Sequence, residues 1–201
     1  MSRGTLRSGL EMMKGGDVVY EDESWRPAPG GISRASFDFP EPIGRQQMSR
    51  YPAGEVVTVP HHTRTRKVTA LLTTRTAAPF AAAAPLLPYA MPALALTLRT
   101  PLRGLLNSAM RLLPEGPSED ARRAAEFTIV AQAHGADGAT RQGVVRGSDV
   151  YGLTAVTLVQ GAELMSAPGF ARAGALGPAA AFDPAAFLNH LGDHGLSWQL
   201  D

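Results

Sequence analysis

The chain has 201 residues, and its 19 basic and 18 acidic side chains leave a formal net charge of +1 at pH 7. This length allows one domain with a substantial core, and the near-neutral balance provides no bulk attraction to nucleic acid. The absence of cysteine excludes disulfides, thiolate metal sites and cysteine nucleophiles. We therefore expect a cytoplasmic protein that does not bind nucleic acid.

In the N-terminal half, the sequence predicts one helix and several short strands. The helix covers residues 2–13 and stops at Gly15 and Gly16. A short strand at residues 17–20 and a surface loop at residues 21–31 are expected next. Alternating or β-branched residues predict further strands at residues 32–39, 55–59 and 67–73.

An uncharged apolar run occupies residues 77–98. Its 22 residues are long enough to cross a bilayer. Four prolines argue against a spanning helix, because each removes a helix hydrogen bond that lipid cannot replace. We interpret residues 77–113 as an apolar helical insertion within the domain, and we do not expect membrane association.

The C-terminal half predicts a β-hairpin that leads into a buried helix. Strands at residues 127–133 and 141–146 flank a turn with two glycines, and Ser148–Asp149 can cap the helix. The apolar face of that helix is predicted to be buried, with Gly161 in close packing; its members are Val150, Leu153, Thr157, Leu158, Gly161, Leu164 and Met165.

After a loop of small residues, Asp183–Pro184 predicts the start of another helix, and residues 196–200 a last strand. This order of elements is typical of an α+β fold rather than of repeated βαβ units. We expect a single domain over residues 1–201, with a mixed, mainly antiparallel sheet and helices covering one face.

Cofactor and metal patterns are missing from the sequence. A dinucleotide site needs a glycine-rich turn between a strand and a helix, and no glycine cluster here stands in that context. His190 and His194 are spaced i, i+4, but no HExxH pattern accompanies them. We predict neither a cofactor-binding loop nor a metal site in this chain.

Two segments carry a resemblance to a known family. Gly116-Pro117-Ser118 with Arg122, and residues 149–155 (DVYGLTA), are similar to the C-terminal half of saccharopine dehydrogenase-like oxidoreductases, in the actinobacterial branch that includes trans-acting enoyl reductases. Residues 2–5 (SRGT) resemble the family's Ser-x-Gly-Thr segment. The resemblance implies a substrate-binding and dimerisation domain whose NAD(P)-binding Rossmann domain would precede it. The chain would then be a fragment, a split-gene product or a stand-alone protein.

Candidate site residues follow from side-chain chemistry. Tyr51, His61, His62 and Tyr151 are candidate proton donors or carbonyl-orienting groups. Four arginines could hold a carboxylate or phosphate: Arg45, Arg50, Arg64 and Arg66. Gly4 and Thr5 lie at the start of a helix whose free amides could bind an anion, although ordinary capping is the favoured interpretation. Each of these residues also has a structural or solvent-facing interpretation.

Two functions remain open from the sequence. In the first, the chain is the substrate-side domain of an NAD(P)-dependent oxidoreductase, inactive alone, with a small-molecule or lipid-like substrate and a separate Rossmann-domain chain as partner. In the second, it is a free-standing, non-enzymatic module that binds an apolar ligand or another protein. Self-association into a homo-oligomer is expected in either case.

Overall fold

A computed structural model describes residues 2–5, 7–8, 17–28, 35–51, 53–77, 100, 104, 108 and 115–201. The chain divides into two compact units, Met1–Gly116 and Pro117–Asp201. Helices and three three-stranded sheets confirm the α+β class, and every strand pairing in the described part of the chain is antiparallel. The strands are shared among three small sheets. The single domain over residues 1–201 stays a prediction, and nearly all of the predicted insertion at residues 77–113 lies outside the described residues.

The N-terminal unit begins with helical residues 3–5 and 7–8, where the Ser2 hydroxyl accepts a hydrogen bond from the Thr5 amide at 3.0 Å. The serine therefore caps the predicted helix. Its later described elements, in chain order, are β1 (Val18–Glu21), β2 (Ser24–Pro27), β3 (Ser36–Phe39), β4 (Gly44–Arg50), α1 (Glu55–Thr58), a 3-10 turn (Val59–His61), β5 (Lys67–Val68), β6 (Leu71–Thr73) and α2 (Thr74–Ala77).

The first sheet has the strand order β2-β1-β5. A two-residue turn joins β1 to β2, and both of its residues have positive φ, 51° at Asp22 and 61° at Glu23. Such a turn matches the twist of a hairpin but normally uses asparagine or glycine. The prediction of a loop at residues 21–31 is therefore wrong for Ser24–Pro27, which form β2. The hairpin was missed because its turn lacks the residues that usually mark such turns.

The second sheet has the order β3-β4-β6. Strand β4 was not predicted, because Pro40 and Pro42 precede it and most of its residues are polar. Its single deeply buried side chain is Met48, which is 5% exposed. The strand predicted at residues 67–73 is divided, since β5 pairs with β1 and β6 pairs with β4.

The strand predicted at residues 55–59 is wrong. These residues form α1 and the start of the 3-10 turn, in which Pro60 occupies a first-turn position that needs no amide donor. Val56 is buried at 4% exposure, and its carbonyl accepts a hydrogen bond from the Trp25 indole at 3.2 Å. Tertiary contacts of this kind outweigh the weak strand preference of valine.

The C-terminal unit holds the third sheet, in the order β7-β8-β9, and its helices. In chain order its elements are α3 (Glu119–Arg123), β7 (Glu126–His134), β8 (Thr140–Ser148), α4 (Val150–Ser166), α5 (Pro178–Ala181), α6 (Pro184–Gly192) and β9 (Ser197–Leu200). The predicted hairpin, the Asp183 cap and the last strand are confirmed. The short helices α3 and α5 were not predicted.

The hairpin packs tightly where β8 approaches α4. Gly147 lies directly opposite Phe127 in the β7–β8 ladder. A Cβ atom at Gly147 would stand 2.9 Å from Cζ of Phe127 and 3.1 Å from Cδ1 of Leu153. Leu153 is buried at this interface of strand and helix, with 7% of its surface exposed. The glycine thus leaves room for an aromatic ring from the partner strand and a leucine from the helix.

Helix α4 begins as predicted, at an Asp149 whose side chain accepts a hydrogen bond from the Gly152 amide at 3.0 Å. The predicted buried face is only partly right. Leu153 and Gly161 are buried, and Gly161 lies against the Phe182 ring, whereas other members of the face are exposed: Val150, Leu158, Leu164 and Met165. Among the described residues, no helix combines the length and apolar character that crossing a membrane requires.

Candidate functional site

A cleft of about 210 Å³ lies between the two sheets of the N-terminal unit. Strands β1 and β5 form one wall, and the end of β4 with the β5–β6 connection forms the other. Most of the lining is apolar, and its four polar or charged members with long side chains are Glu21, Arg50, Tyr51 and Lys67. An apolar pocket with a few polar groups is the usual form of a small-molecule site.

An ion pair crosses the β1–β5 wall of the cleft. Glu21 and Lys67 are direct partners in the strand ladder, and Lys67 Nζ lies 2.8 Å from Glu21 Oε1. The hydrogen bond from Lys67 is the main cause that lowers the pKa of the Glu21 carboxyl, followed by the charge of Lys67 and smaller effects of Arg26 and Arg50. The glutamate is therefore held ionised, and it keeps the lysine at the cleft.

An aromatic cluster stands beside the cleft and contains one of the candidates predicted from the sequence, His61. Trp25 makes an edge-on contact with the buried Tyr20 ring at a centroid distance of 5.0 Å, and it stacks on His61 at 5.5 Å. The Trp25 indole also donates to the carbonyl of Val56, which lines the cleft. The cluster thus fixes the position of one wall residue.

The two histidines have structural contacts instead of lining the cleft. His61 forms the stack with Trp25, and His62 Nδ1 donates to the Thr58 carbonyl at 2.9 Å. Because a carbonyl can only accept, this bond places the proton on Nδ1 of His62 and leaves Nε2 open. Of the four candidate proton donors, Tyr51 is the one that lines the cleft.

The candidate anion-binding residues are dispersed. Arg45 donates through Nε and Nη2 to the Ser36 hydroxyl, at 3.2 and 2.8 Å, across the β3–β4 pair. Arg64 is exposed in the loop before β5, and Gly4 and Thr5 lie in the capped first turn of the N-terminal helix. Tyr151 belongs to the first turn of α4, in the C-terminal unit.

Sequence reasoning missed the pairing of Glu21 with Lys67. The two residues are far apart in the chain, and neither belongs to a spaced motif. Only the correct pairing of β1 with β5 brings them together. Arg50, adjacent to Tyr51, was recognised among the arginines that could hold a carboxylate, but its place in the cleft depends on the pairing of β4 with β6.

The low pKa of Glu21 predicts a contribution to stability that depends on pH. The folded state favours the ionised carboxyl, so this contribution is fully present above the ordinary value of 4.5 and is lost as the pH falls through the lowered pKa. Urea unfolding between pH 6 and 3 should therefore show a steeper loss for the wild type than for Glu21→Gln. Glu55→Gln serves as the control, since Glu55 forms no ion pair among the described residues. If the free energy of unfolding falls with pH equally steeply in the wild type and in Glu21→Gln, the prediction is contradicted.

No group of three or more His, Cys, Asp or Glu side chains in the described part of the chain is placed to hold a metal ion. The chain matches no family model, no curated protein and no solved structure among those compared with it.

Proposed function

We propose that the chain is the substrate-side module of a saccharopine dehydrogenase-like, NAD(P)-dependent oxidoreductase, a substrate-binding and dimerisation domain that is inactive alone. The cleft of the N-terminal unit is the proposed substrate site. Its lining carries the proposal: apolar walls, the two cationic side chains of Arg50 and Lys67, and the Tyr51 hydroxyl. This combination suits a lipid-like molecule that ends in a carboxylate or a related anionic group.

Each polar member of the cleft has a separate role in the proposal, and that of Glu21 is to hold Lys67 in place through their ion pair. Arg50 and Lys67 attract and hold the anionic group, since charge-assisted hydrogen bonds are stronger than neutral ones. Tyr51 donates a hydrogen bond that orients the substrate. The side chains of Val18, Val56 and Val68 contact the hydrocarbon part. Hydride would come from NAD(P)H on a separate Rossmann-domain chain, because the sequence of this chain predicts no cofactor-binding loop. The reaction would take place in the cytoplasm.

A fatty carboxylate tests the site directly. Octanoate is titrated into the Trp198→Phe variant, whose remaining tryptophan, Trp25, contacts Val56 in the cleft wall. We expect saturable quenching of Trp25 fluorescence and binding weaker by about tenfold in Arg50→Met and in Lys67→Met, as the loss of one charge-assisted hydrogen bond implies.

Matched controls separate a carboxylate site from a purely apolar one. Arg45→Met removes an arginine that bonds to Ser36 outside the cleft, and it should leave octanoate binding unchanged. Octanol should bind more weakly than octanoate. Equal binding of the alcohol and the acid, or an equal loss in Arg45→Met and Arg50→Met, would contradict the proposed site.

The oxidoreductase part of the proposal needs its own test. The chain is mixed with the product of a neighbouring reading frame that encodes a Rossmann domain, and NADPH oxidation is followed with acyl substrates. Turnover is expected only when both chains are present. Micromolar binding of NADPH to this chain alone would contradict the predicted absence of a cofactor loop.

The second candidate function is a non-enzymatic interaction module, and one observation favours it. Helix α4 exposes Leu158, Val159 and Met165 at 69%, 59% and 55%. Exposed apolar side chains on one helix are typical of a surface that another protein covers. The same surface supports a homo-oligomer. Sedimentation velocity of the wild type and of Leu158→Glu tests this. If both proteins sediment as monomers, the result would argue against self-association through α4.

A further inference from the structure

A second groove, in the C-terminal unit, contains a buried polar group that the fold itself does not use. Gln160 lies on α4 and is 7% exposed. Its amide oxygen, Oε1, is buried and has no hydrogen-bond partner among the described residues. A buried acceptor without a donor lowers the stability of a fold, so such groups usually serve a purpose beyond packing.

The groove runs between α4 and α6 and has a volume of about 370 Å³. Its α4 side consists of Ala155, Val156 and Val159 together with Gln160 and Glu163. Its other side consists of His190 on α6 and His194, which follows the end of that helix. Glu163 is the one charged residue of α4, which spans 17 residues. The groove therefore places an unused acceptor and a carboxylate beside an apolar surface.

The polar and apolar groups of the groove indicate which class of ligand would bind there. The Gln160 oxygen requires a hydrogen-bond donor, and the Glu163 carboxylate favours a donor that is positively charged. The apolar side chains favour a hydrocarbon tail next to the charged end. A metal ion does not fit, because no group of three or more potential ligands is close enough among the described residues, His190 and His194 included.

We propose that the α4–α6 groove binds a small alkylammonium ligand. The ammonium group donates one hydrogen bond to Oε1 of Gln160 and lies near the carboxylate of Glu163, and the alkyl chain covers Ala155, Val156 and Val159. This site belongs to the C-terminal unit, and neither Gln160 nor Glu163 takes part in the substrate site proposed for the N-terminal unit.

Hexylamine is a suitable probe, and the neutral alcohol of the same length is its control. Calorimetric titration of the full chain at a fixed neutral pH, where the amine is protonated, should show one saturable site. The amine should bind at least about tenfold more tightly than hexanol, as a charge-assisted hydrogen bond implies. Equal binding of the two compounds, or no binding of the amine, would overturn the proposal.

Two variants assign the binding to the named residues. Gln160→Met keeps a similar shape but removes the acceptor, so hexylamine binding should fall about tenfold while the melting temperature rises. Glu163→Gln should weaken binding by about two- to fivefold, which is typical of an exposed ion pair.

Glu126→Gln, on β7 and outside the groove, is the matched control for charge and should change nothing. Because Glu163 is exposed, its variant is expected to fold even if Gln160→Met does not. Unchanged binding in Glu163→Gln, or an equal loss in Glu126→Gln, would overturn the assignment.

Discussion

Replacement of Trp25 by alanine is expected to destabilise the N-terminal unit by about 2–4 kcal/mol. Tryptophan-to-alanine changes in protein cores typically cost about 3–5 kcal/mol. Trp25 is 45% exposed, which places the effect toward the lower end. The variant also loses the contacts with Tyr20 and His61 and leaves the Val56 carbonyl without its indole donor. Urea unfolding followed by far-ultraviolet circular dichroism measures the change.

Two further variants divide this effect into its parts. Trp25→Phe keeps an aromatic ring against Tyr20 but removes the hydrogen bond to Val56, and should cost about 1 kcal/mol. His61→Ala removes only the stacked partner, and should cost about 0.5–1.5 kcal/mol. If Trp25→Ala proved no more destabilising than His61→Ala, the indole would not hold β1, β2 and α1 together as described.

Replacement of Gly147 by alanine is the second large effect. Elsewhere in a strand this change is favourable by about 0.5–1 kcal/mol, because glycine loses more conformational entropy on folding. Here the new methyl group would stand 2.9 Å from the Phe127 ring and 3.1 Å from Leu153. Overpacking of this kind costs about 1–3 kcal/mol. The clash therefore outweighs the propensity, and we expect a net loss of about 1–2 kcal/mol in urea unfolding.

The same strand provides the control. A Cβ atom at Gly143 would meet its nearest neighbour, Cδ1 of Leu200, at 3.6 Å, which is an ordinary contact. Gly143→Ala should therefore be neutral or slightly stabilising. In the background of Leu153→Ala, which removes one of the clashing groups, Gly147→Ala should cost less than it does alone. An equal cost in the two backgrounds would show that Leu153 does not limit the space at Gly147.

The parts of the fold that the sequence predicted correctly depend on short-range chemistry. The hairpin of β7 and β8 has period-two side chains and a turn that contains Gly138 at a φ of 82°. The caps at Ser2, Asp149 and Asp183 each accept a hydrogen bond from the amide three residues later. Such patterns lie within a few residues, so they can be recognised without knowledge of the tertiary structure.

Two of the incorrect predictions depended on contacts between distant segments. Valines 56, 57 and 59 suggested a strand, but burial of Val56 and its bond with Trp25 favour a helix. The α4 face seemed buried because its residues are apolar, yet the sheet and α6 cover only part of that helix. Hydrophobic side chains indicate what could be buried, and the number of packing neighbours decides what is.

The proposed substrate site also contains residues that the sequence could indicate and residues that only the tertiary structure brings together. Tyr51 and Arg50 could be chosen from the sequence because their side chains suit the chemistry of a ligand. Lys67 could not, since its role depends on the register that pairs it with Glu21. The buried Gln160 in α4 gave no sign in the sequence either, because glutamine in a helix is ordinarily exposed.

The connection between α4 and α6 has a practical use. Gly174 lies in this segment with a φ of 110°, is exposed, and has open space where a side chain would begin. Strand β9 already pairs with β8 across a long stretch of chain. Each doubling of the length of a loop adds only about 0.6 kcal/mol to the entropic cost of closing it. A peptide label of ten residues inserted after Gly174 should therefore leave the sheet intact and offer a point of attachment for spectroscopy.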